Sequence, residues 1–417
     1  MFKNDRLFLL VLKTMMLLIS CIALGTILLL LVYSIPVVQI DRNVRASAVT
    51  LEKEGAFPSL TKWCTSQLDN WTDSTMLLNA AYDGEETVLE QALMVYKKRI
   101  EGLNPQQSIV EYYLRGGQTY RSSYARYWHG YLVYLKPLLY FMEYRHIRIV
   151  NLIIQTMINL SLIFILYKRK MTQYIVPYIL SICLIMPLAT AWSLQFSAVF
   201  YIFSVGSIIL ILNYDLLSER SNIIYFFCLL GILTSYFDFL TYPLATFGIP
   251  YTFLVCRDKE NKIKEDVLRF IKCGMFWCIG YVGMWAGKWI IATLLTGENI
   301  IANAIDAILS RTSANPSENI HYSILHVWNV NISAFVRNPV MVLAVIFILY
   351  YGYRIIKEHR GERFLYYCVK FAGICFMPLC WYIFTRNHSV PHCGFTYKAL
   401  IITAFAGMCI FVKTLSE

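Results

Sequence analysis

Residues 1–36 read MFKNDRLFLLVLKTMMLLISCIALGTILLLLVYSIP, and this stretch decides the class of protein. Lys3, Arg6 and Lys13 come early, and the apolar run around and after them is far longer than the roughly 7–15 residues of a signal-peptide core. No small-x-small cleavage site follows, so the run reads as an uncleaved first membrane helix. The same kind of block, about 18–25 residues long, recurs along the chain, and this is the length that crosses a hydrocarbon core about 30 Å thick. Of the 417 residues, 58% are hydrophobic and only 15% charged, whereas a soluble protein carries about a quarter charged residues.

Working outward, the apolar blocks predict spans near 14–37, 147–167, 174–192, 196–213, 222–237, 242–256, 270–294, 339–354, 364–384 and 396–413. The fold expected is an all-α polytopic membrane protein of about ten transmembrane helices. Residues 1–37 hold the N-terminus and first helix, 38–146 a large extracytoplasmic loop, and 147–417 a membrane domain of about nine helices. Within the loop, Thr87–Tyr96 has helical patterning, and the aromatic stretch Tyr124–Leu135 is expected to lie in the headgroup layer.

Charge sets the orientation. With the N-terminus inside, the inner segments carry Lys168, Arg169 and Lys170, then Arg220, then Arg257, Lys259, Lys262, Lys264 and Arg269, then Arg354, Lys357, Arg360 and Arg363. The short outer loops are nearly free of Lys and Arg, with Arg311, Arg337, Arg386 and Lys398 as exceptions. The net charge of +11 thus reads as topology rather than nucleic-acid binding, since no basic stripe interleaves with aromatics. Most of the 12 cysteines sit in apolar spans, and only Cys64 and Cys393 are placed outside, where a bridge is conceivable. No Walker A loop, nucleophile elbow, HExxH or paired CxxC is present.

Ionisable groups at membrane depth are costly and tend to be paired or functional. Asp238 closes the fifth span and Lys288 lies in the seventh; they read either as an ion pair and anchor or as a cation in an outward-opening cavity. In the loop, Asp73 sits in Asn70-Trp71-Thr72-Asp73, between an aromatic and an apolar run, where an acid serves as general base toward an acceptor hydroxyl. The stretch Arg386-Asn387-His388-Ser389-Val390-Pro391-His392-Cys393-Gly394-Phe395-Thr396-Tyr397-Lys398 gathers two histidines, an Asn and two cations at the surface. It reads as a metal, phosphate or sugar-hydroxyl site, or as an interfacial turn with polar tips. Pro391 argues against a helical pair of His ligands.

Several of these segments together resemble the bacterial polytopic membrane glycosyltransferases of the GT-C fold, in their glucosyltransferase-like, surface-polysaccharide branch. The residues that carry the resemblance are Asn70-Trp71-Thr72-Asp73, Arg126-Tyr127-Trp128-His129-Gly130, Phe237-Asp238-Phe239-Leu240-Thr241-Tyr242-Pro243, Lys288-Trp289, and Asn387-His388-Ser389 with His392 and Phe395-Thr396-Tyr397-Lys398. Lys398 stands where that class has Arg, which weakens a bidentate phosphate role. The resemblance implies transfer of a sugar from a polyprenyl-phosphate donor to a glycan or lipid acceptor outside the plasma membrane. It also implies an acid of the first loop as base or metal ligand: Asp73 by position, with Asp69 and Asp41 as competitors. Lys288 and Arg386 would hold phosphate, and Trp128, His388 and His392 would shape the site. No cofactor is implied beyond a divalent metal, which stays open. The competing readings are a transporter or flippase of a lipid-linked saccharide, with Asp238 and Lys288 in its pathway, and a non-catalytic subunit of a polysaccharide assembly machine.

Overall fold

A computed structural model describes residues 2–218, 222–258, 262–317 and 320–416. Arg220 and Lys259 lie outside the described residues, as do the side chains of Lys3 and Arg6. The chain is nearly all helix. In order come α1 (Phe2–Tyr33), α2 (Val37–Glu54), α3 (Asn70–Ala80), α4 (Val88–Met94), α5 (Pro105–Val110), α6 (Leu132–Phe141) and α7 (Tyr144–Lys168). Then follow α8 (Ile175–Leu184), α9 (Pro187–Trp192), α10 (Leu194–Leu212), α11 (Tyr214–Ser218), α12 (Asn222–Phe237), α13 (Ala245–Arg257) and α14 (Ile263–Thr296). The last are α15 (Ile300–Thr312), α16 (Ile324–Val336), α17 (Met341–Lys357), α18 (Gly361–Phe384), α19 (Arg386–Ser389), α20 (Cys393–Thr396) and α21 (Ile401–Ser416). A two-stranded antiparallel hairpin, β1 (Lys97–Arg99) and β2 (Tyr120–Ser122), pairs Lys97 with Ser122.

Among the described residues, six helical segments are long and apolar enough to cross a membrane: Phe8–Tyr33, α7, α10, α14, α18 and Cys393–Ser416. The pair α16 and α17, bent by 91°, makes a seventh if it counts as one span. The other segments expected to span are shorter or broken. The 174–192 block splits into α8 and α9 because Met186 takes a left-handed φ of 56° and Pro187 cannot continue the preceding helix. The 242–256 block is the 13-residue α13, buried on all sides as a core helix of that length is expected to be. The 16 residues of α12 rise about 24 Å, less than the hydrocarbon thickness.

The helices are joined at two ends. At one, Arg169 donates to the Leu212 carbonyl (3.0 Å), Arg257 to that of Ile211 (2.5 Å) and Lys413 to those of Cys256 and Asp258 (3.1 and 3.0 Å). At the other, Asn338 donates to the Leu184 carbonyl (2.8 Å) and α2–α6 pack over the helix ends. The core of α2–α6 is continuous with α1, α7, α12 and α14, through residues such as Leu29, Val44, Leu77, Trp128, Ile147, Ile232 and Met284. The aromatic stretch expected in the headgroup layer instead forms turns and the start of α6. Trp128 and Tyr131 are buried in this core, and the Trp128 indole donates to the Met284 carbonyl at 2.7 Å.

Helices α12 and α14 pack backbone to backbone. A Cβ at Gly231 would lie 2.1 Å from the Trp277 carbonyl oxygen, and one at Gly280 would lie 2.1 Å from that of Cys228. Small residues allow this approach, on which helix association in a membrane depends. Gly231→Val and Gly280→Val are expected to destabilise the fold by about 1–3 kcal/mol or more, since a carbonyl cannot rotate aside as a side chain can. Thermal unfolding in detergent measures this; a wild-type midpoint for both variants would contradict the packing.

Candidate functional site

Two carboxylates one turn apart organise the N-terminal end of α3. Asp69 is its N-cap and accepts from the Thr72 amide at 2.8 Å and the Thr72 hydroxyl at 3.1 Å. Asp73 lies one turn on and caps a different helix: its oxygens accept from the Leu194 amide (2.9 Å) and the Gln195 amide (3.2 Å) at the start of α10. The Tyr144 hydroxyl also donates to Asp73, at 2.5 Å. Gln195, held there by Asp73, turns its side-chain amide onto Asp69. The Asp69 backbone amide donates to Ser193 at 3.0 Å, which closes the link between α3 and α10. Burial pushes the Asp69 carboxyl up to about 7, with the nearby Asp73 adding to it. Burial pushes Asp73 up to about 6, against the hydrogen bond from Tyr144 and the charge of Arg148.

Asp69 faces a cavity of about 650 Å³, and Asp73 does not line it. Around this space stand Thr72 and Trp71 of α3, Gln195 and Phe196 of α10, Tyr124 and Arg126, Phe239, Arg311 of α15, and His388 and His392. The two guanidiniums bracket aromatic rings: Arg126 lies 4.8 Å from the Tyr124 ring centre, and Arg311 donates to the Tyr127 hydroxyl and lies 5.5 Å from its ring. Among the described residues neither forms an ion pair with a carboxylate. The His388 Nε2 lies 2.7 Å from the Leu240 carbonyl, so Nε2 carries the proton. Burial pushes this imidazole down to about 3, so it is neutral. Its buried Nδ1 has no partner among the described residues and is left as an acceptor. The cavity thus combines a carboxyl poised near neutrality, two cations, a neutral acceptor and aromatic walls.

Comparisons with protein-family models, curated proteins and solved structures return no match.

Of the residues singled out in the sequence, Asp69, His388 and His392 meet in the cavity. Others support it from behind. The His129 Nε2 meets the Tyr124 carbonyl at 2.7 Å, and its ring packs against Tyr124 and Phe239. Asp238 accepts from the Thr241 amide and hydroxyl (3.0 and 2.5 Å), fixing the turn that presents Phe239 to the cavity and the Leu240 carbonyl to His388. Asn387 donates to the Ser310 carbonyl at 2.9 Å and so holds the end of α15 beside Arg311.

The remaining residues lie elsewhere. Arg386 donates to the Ile383 carbonyl at 3.1 Å, and Asp41 accepts from Tyr113 at 2.6 Å. Trp128 lies under Lys288, 5.5 Å from its ammonium. Lys288 does not pair with Asp238; it donates to the Leu93 carbonyl at 2.7 Å, at the C-terminal end of α4. Lys398 likewise donates to the Ile185 carbonyl at 2.7 Å, beyond the end of α8, and Lys136 to that of Ala80 at 2.9 Å, at the end of α3. With Lys413 at the end of α13, four buried ammonium groups each satisfy carbonyls that a helix C-terminus leaves open.

Arg126, Arg311, Tyr124, Gln195 and Phe239 are among the cavity residues to which the sequence assigned no role. A signal for Arg311 was present: it is a cation in a loop expected outside, where the charge bias disfavours one. Gln195, in the short gap between the blocks at 174–192 and 196–213, carried no such mark. Cys64 and Cys393 are free thiols. Among the described residues no three His, Cys, Asp or Glu side chains are grouped to hold a metal ion.

Proposed function

We propose that this protein is an inverting membrane glycosyltransferase of GT-C type, moving a sugar from a polyprenyl-phosphate donor to a cell-surface acceptor. The observation that carries the reading is the convergence of Asp69 with Arg126 and Arg311 on one cavity. The donor phosphate sits on the two guanidiniums, whose planar forks match its oxygens. Asp69, ionised, takes the proton of the acceptor hydroxyl as its oxygen attacks the anomeric carbon. The bond from that carbon to the phosphate oxygen breaks, and the polyprenyl phosphate leaves on the arginines. His388 accepts a hydrogen bond from a sugar hydroxyl through Nδ1, and Trp71 and Phe395 cover the sugar faces. The cavity opens outside the plasma membrane with the N-terminus in the cytoplasm, as the basic segments at the other chain ends support. Ten traverses are reached in this reading when α12, α13, the α8–α9 pair and the bent α16–α17 pair are counted with the six longer segments.

Arg311→Ala is expected to slow transfer by about 10²-fold, as loss of one preorganised charge partner does. Purified protein is given labelled polyprenyl-phosphate sugar and extracted envelope glycan, and the glycosidic product is counted. A wild-type rate in a stably folded variant removes Arg311 from the site. Protein that carries the labelled lipid across vesicles and forms no glycosidic bond overturns the transferase reading.

A further inference from the structure

A second cavity, of about 400 Å³, lies behind α3 where the end of α2 meets the starts of α7 and the close of α9. Its walls include Lys53, Glu54, Arg145, Arg148, Ile149 and Trp192. Three cations face one carboxylate, and Glu54 is already held by Arg148 at 2.9 Å. Two donors at this wall have no partner among the described residues: the Nε of Arg148, a residue only 3% exposed, and the indole Nε1 of Trp192. Buried donors are nearly always satisfied, so two orphans beside one cation-rich cavity point to an absent acceptor.

The surface next to the cavity says what carries that acceptor. Ile149 lines the cavity and also begins an exposed apolar stripe down α7, continued by Ile153, Met157, Leu160 and Phe164 at helical spacing. This helix is one of those long enough to cross a membrane, and its first turns carry Arg145 and Arg148. A basic cavity thus sits at the end of a lipid-facing stripe on the same helix.

We propose that this cavity binds the phosphate headgroup of an anionic membrane lipid, with the acyl chains lying along the Ile149–Phe164 stripe. The phosphate oxygens accept from Arg148 Nε and Trp192 Nε1, and Lys53 and Arg145 close over them from the rim. Anionic headgroups attract basic residues at the membrane surface in this way. The site is separate from the Asp69 cavity, and its occupancy is read without any transfer reaction.

The test uses the full-length protein in mild detergent, titrated with phosphatidylglycerol and followed by native mass spectrometry. Parallel arms use phosphatidylcholine and inorganic phosphate. Wild-type protein is expected to retain phosphatidylglycerol over phosphatidylcholine. Lys53→Ala with Arg145→Ala, both rim residues, is expected to weaken retention about tenfold, and Trp192→Phe to weaken it with the ring kept in place. Arg311→Ala should bind as wild type. Equal retention by wild type and the double variant overturns the site. Displacement of the lipid by millimolar inorganic phosphate, or phosphate binding without lipid binding, overturns the lipid and leaves a soluble anion as occupant.

Discussion

Asp69→Asn is expected to lower the transfer rate by a factor of about 10²–10⁴, the usual effect of losing a general base. The substitution is gentle on structure. Asn caps a helix as well as Asp does, so the bond from the Thr72 amide (2.8 Å) survives. The Gln195 side chain, which donates to Asp69, can reverse its amide and accept from the new one. Activity should therefore fall while the thermal midpoint stays. The pH profile gives a second readout. Because burial holds the Asp69 carboxyl near 7, kcat/KM in the wild type should climb as pH rises through about 7, and the variant should lack that limb. Stability runs the other way: the folded state keeps this proton from about pH 4 to about 7 and the unfolded chain does not, so Asp69 makes the fold less stable as pH rises across that window. Wild-type transfer by a well-folded Asp69→Asn variant would remove the base from this position.

Asp73 separates from Asp69 on the same logic. Its oxygens accept from two backbone amides and Tyr144. An amide in its place keeps one acceptor and turns a donor toward donors. Loss of Asp73 thus first shows as loss of folded protein.

The sequence could not separate these two acids. They lie four residues apart, Asp69 as the N-cap of α3 and Asp73 in its first turn, and the distinction depends on α10, whose N-terminus arrives more than a hundred residues later and takes Asp73 as its cap. The long spans were legible because a run such as Leu17–Leu31 has no other way to bury itself than in lipid or in other helices. The short ones were not: hydropathy alone does not separate α13, wrapped in protein, from a helix wrapped in lipid. The lysines misled for a related reason. A cation at membrane depth asks for a partner, and the sequence shows the nearest acids, but a helix C-terminus is also an anionic partner and becomes visible only when α4 ends against Lys288 or α8 against Lys398.

The largest structural effect is expected at Arg148, on which the junction of α2, α3 and α7 turns. One of its guanidinium nitrogens donates to both oxygens of Glu54 at 2.9 Å, and the other to Asn70 and to the Tyr144 hydroxyl at 2.6 Å each. Tyr144 in turn donates to Asp73, and Asn70 to Glu54. One buried cation therefore ties α2, α3 and α7 together and reaches α10 through Asp73. Arg148→Met keeps the side-chain volume and removes every donor, so Glu54 is left without its cation and Asn70 without one donor. Breaking one partner of such a pair costs about 3–5 kcal/mol. The expected result is a large drop in the detergent unfolding midpoint, with much of the protein lost on size exclusion. Adding Glu54→Gln should recover part of that loss, because the stranded charge goes with it, and the recovery is the coupling energy of the pair. Arg148→Lys keeps a charge beside Glu54 but cannot span both sets of partners, so it should fall between wild type and Arg148→Met. If Arg148→Met instead melts with the wild type, α3 is held by its apolar face alone, and the position of Asp69 owes nothing to this network.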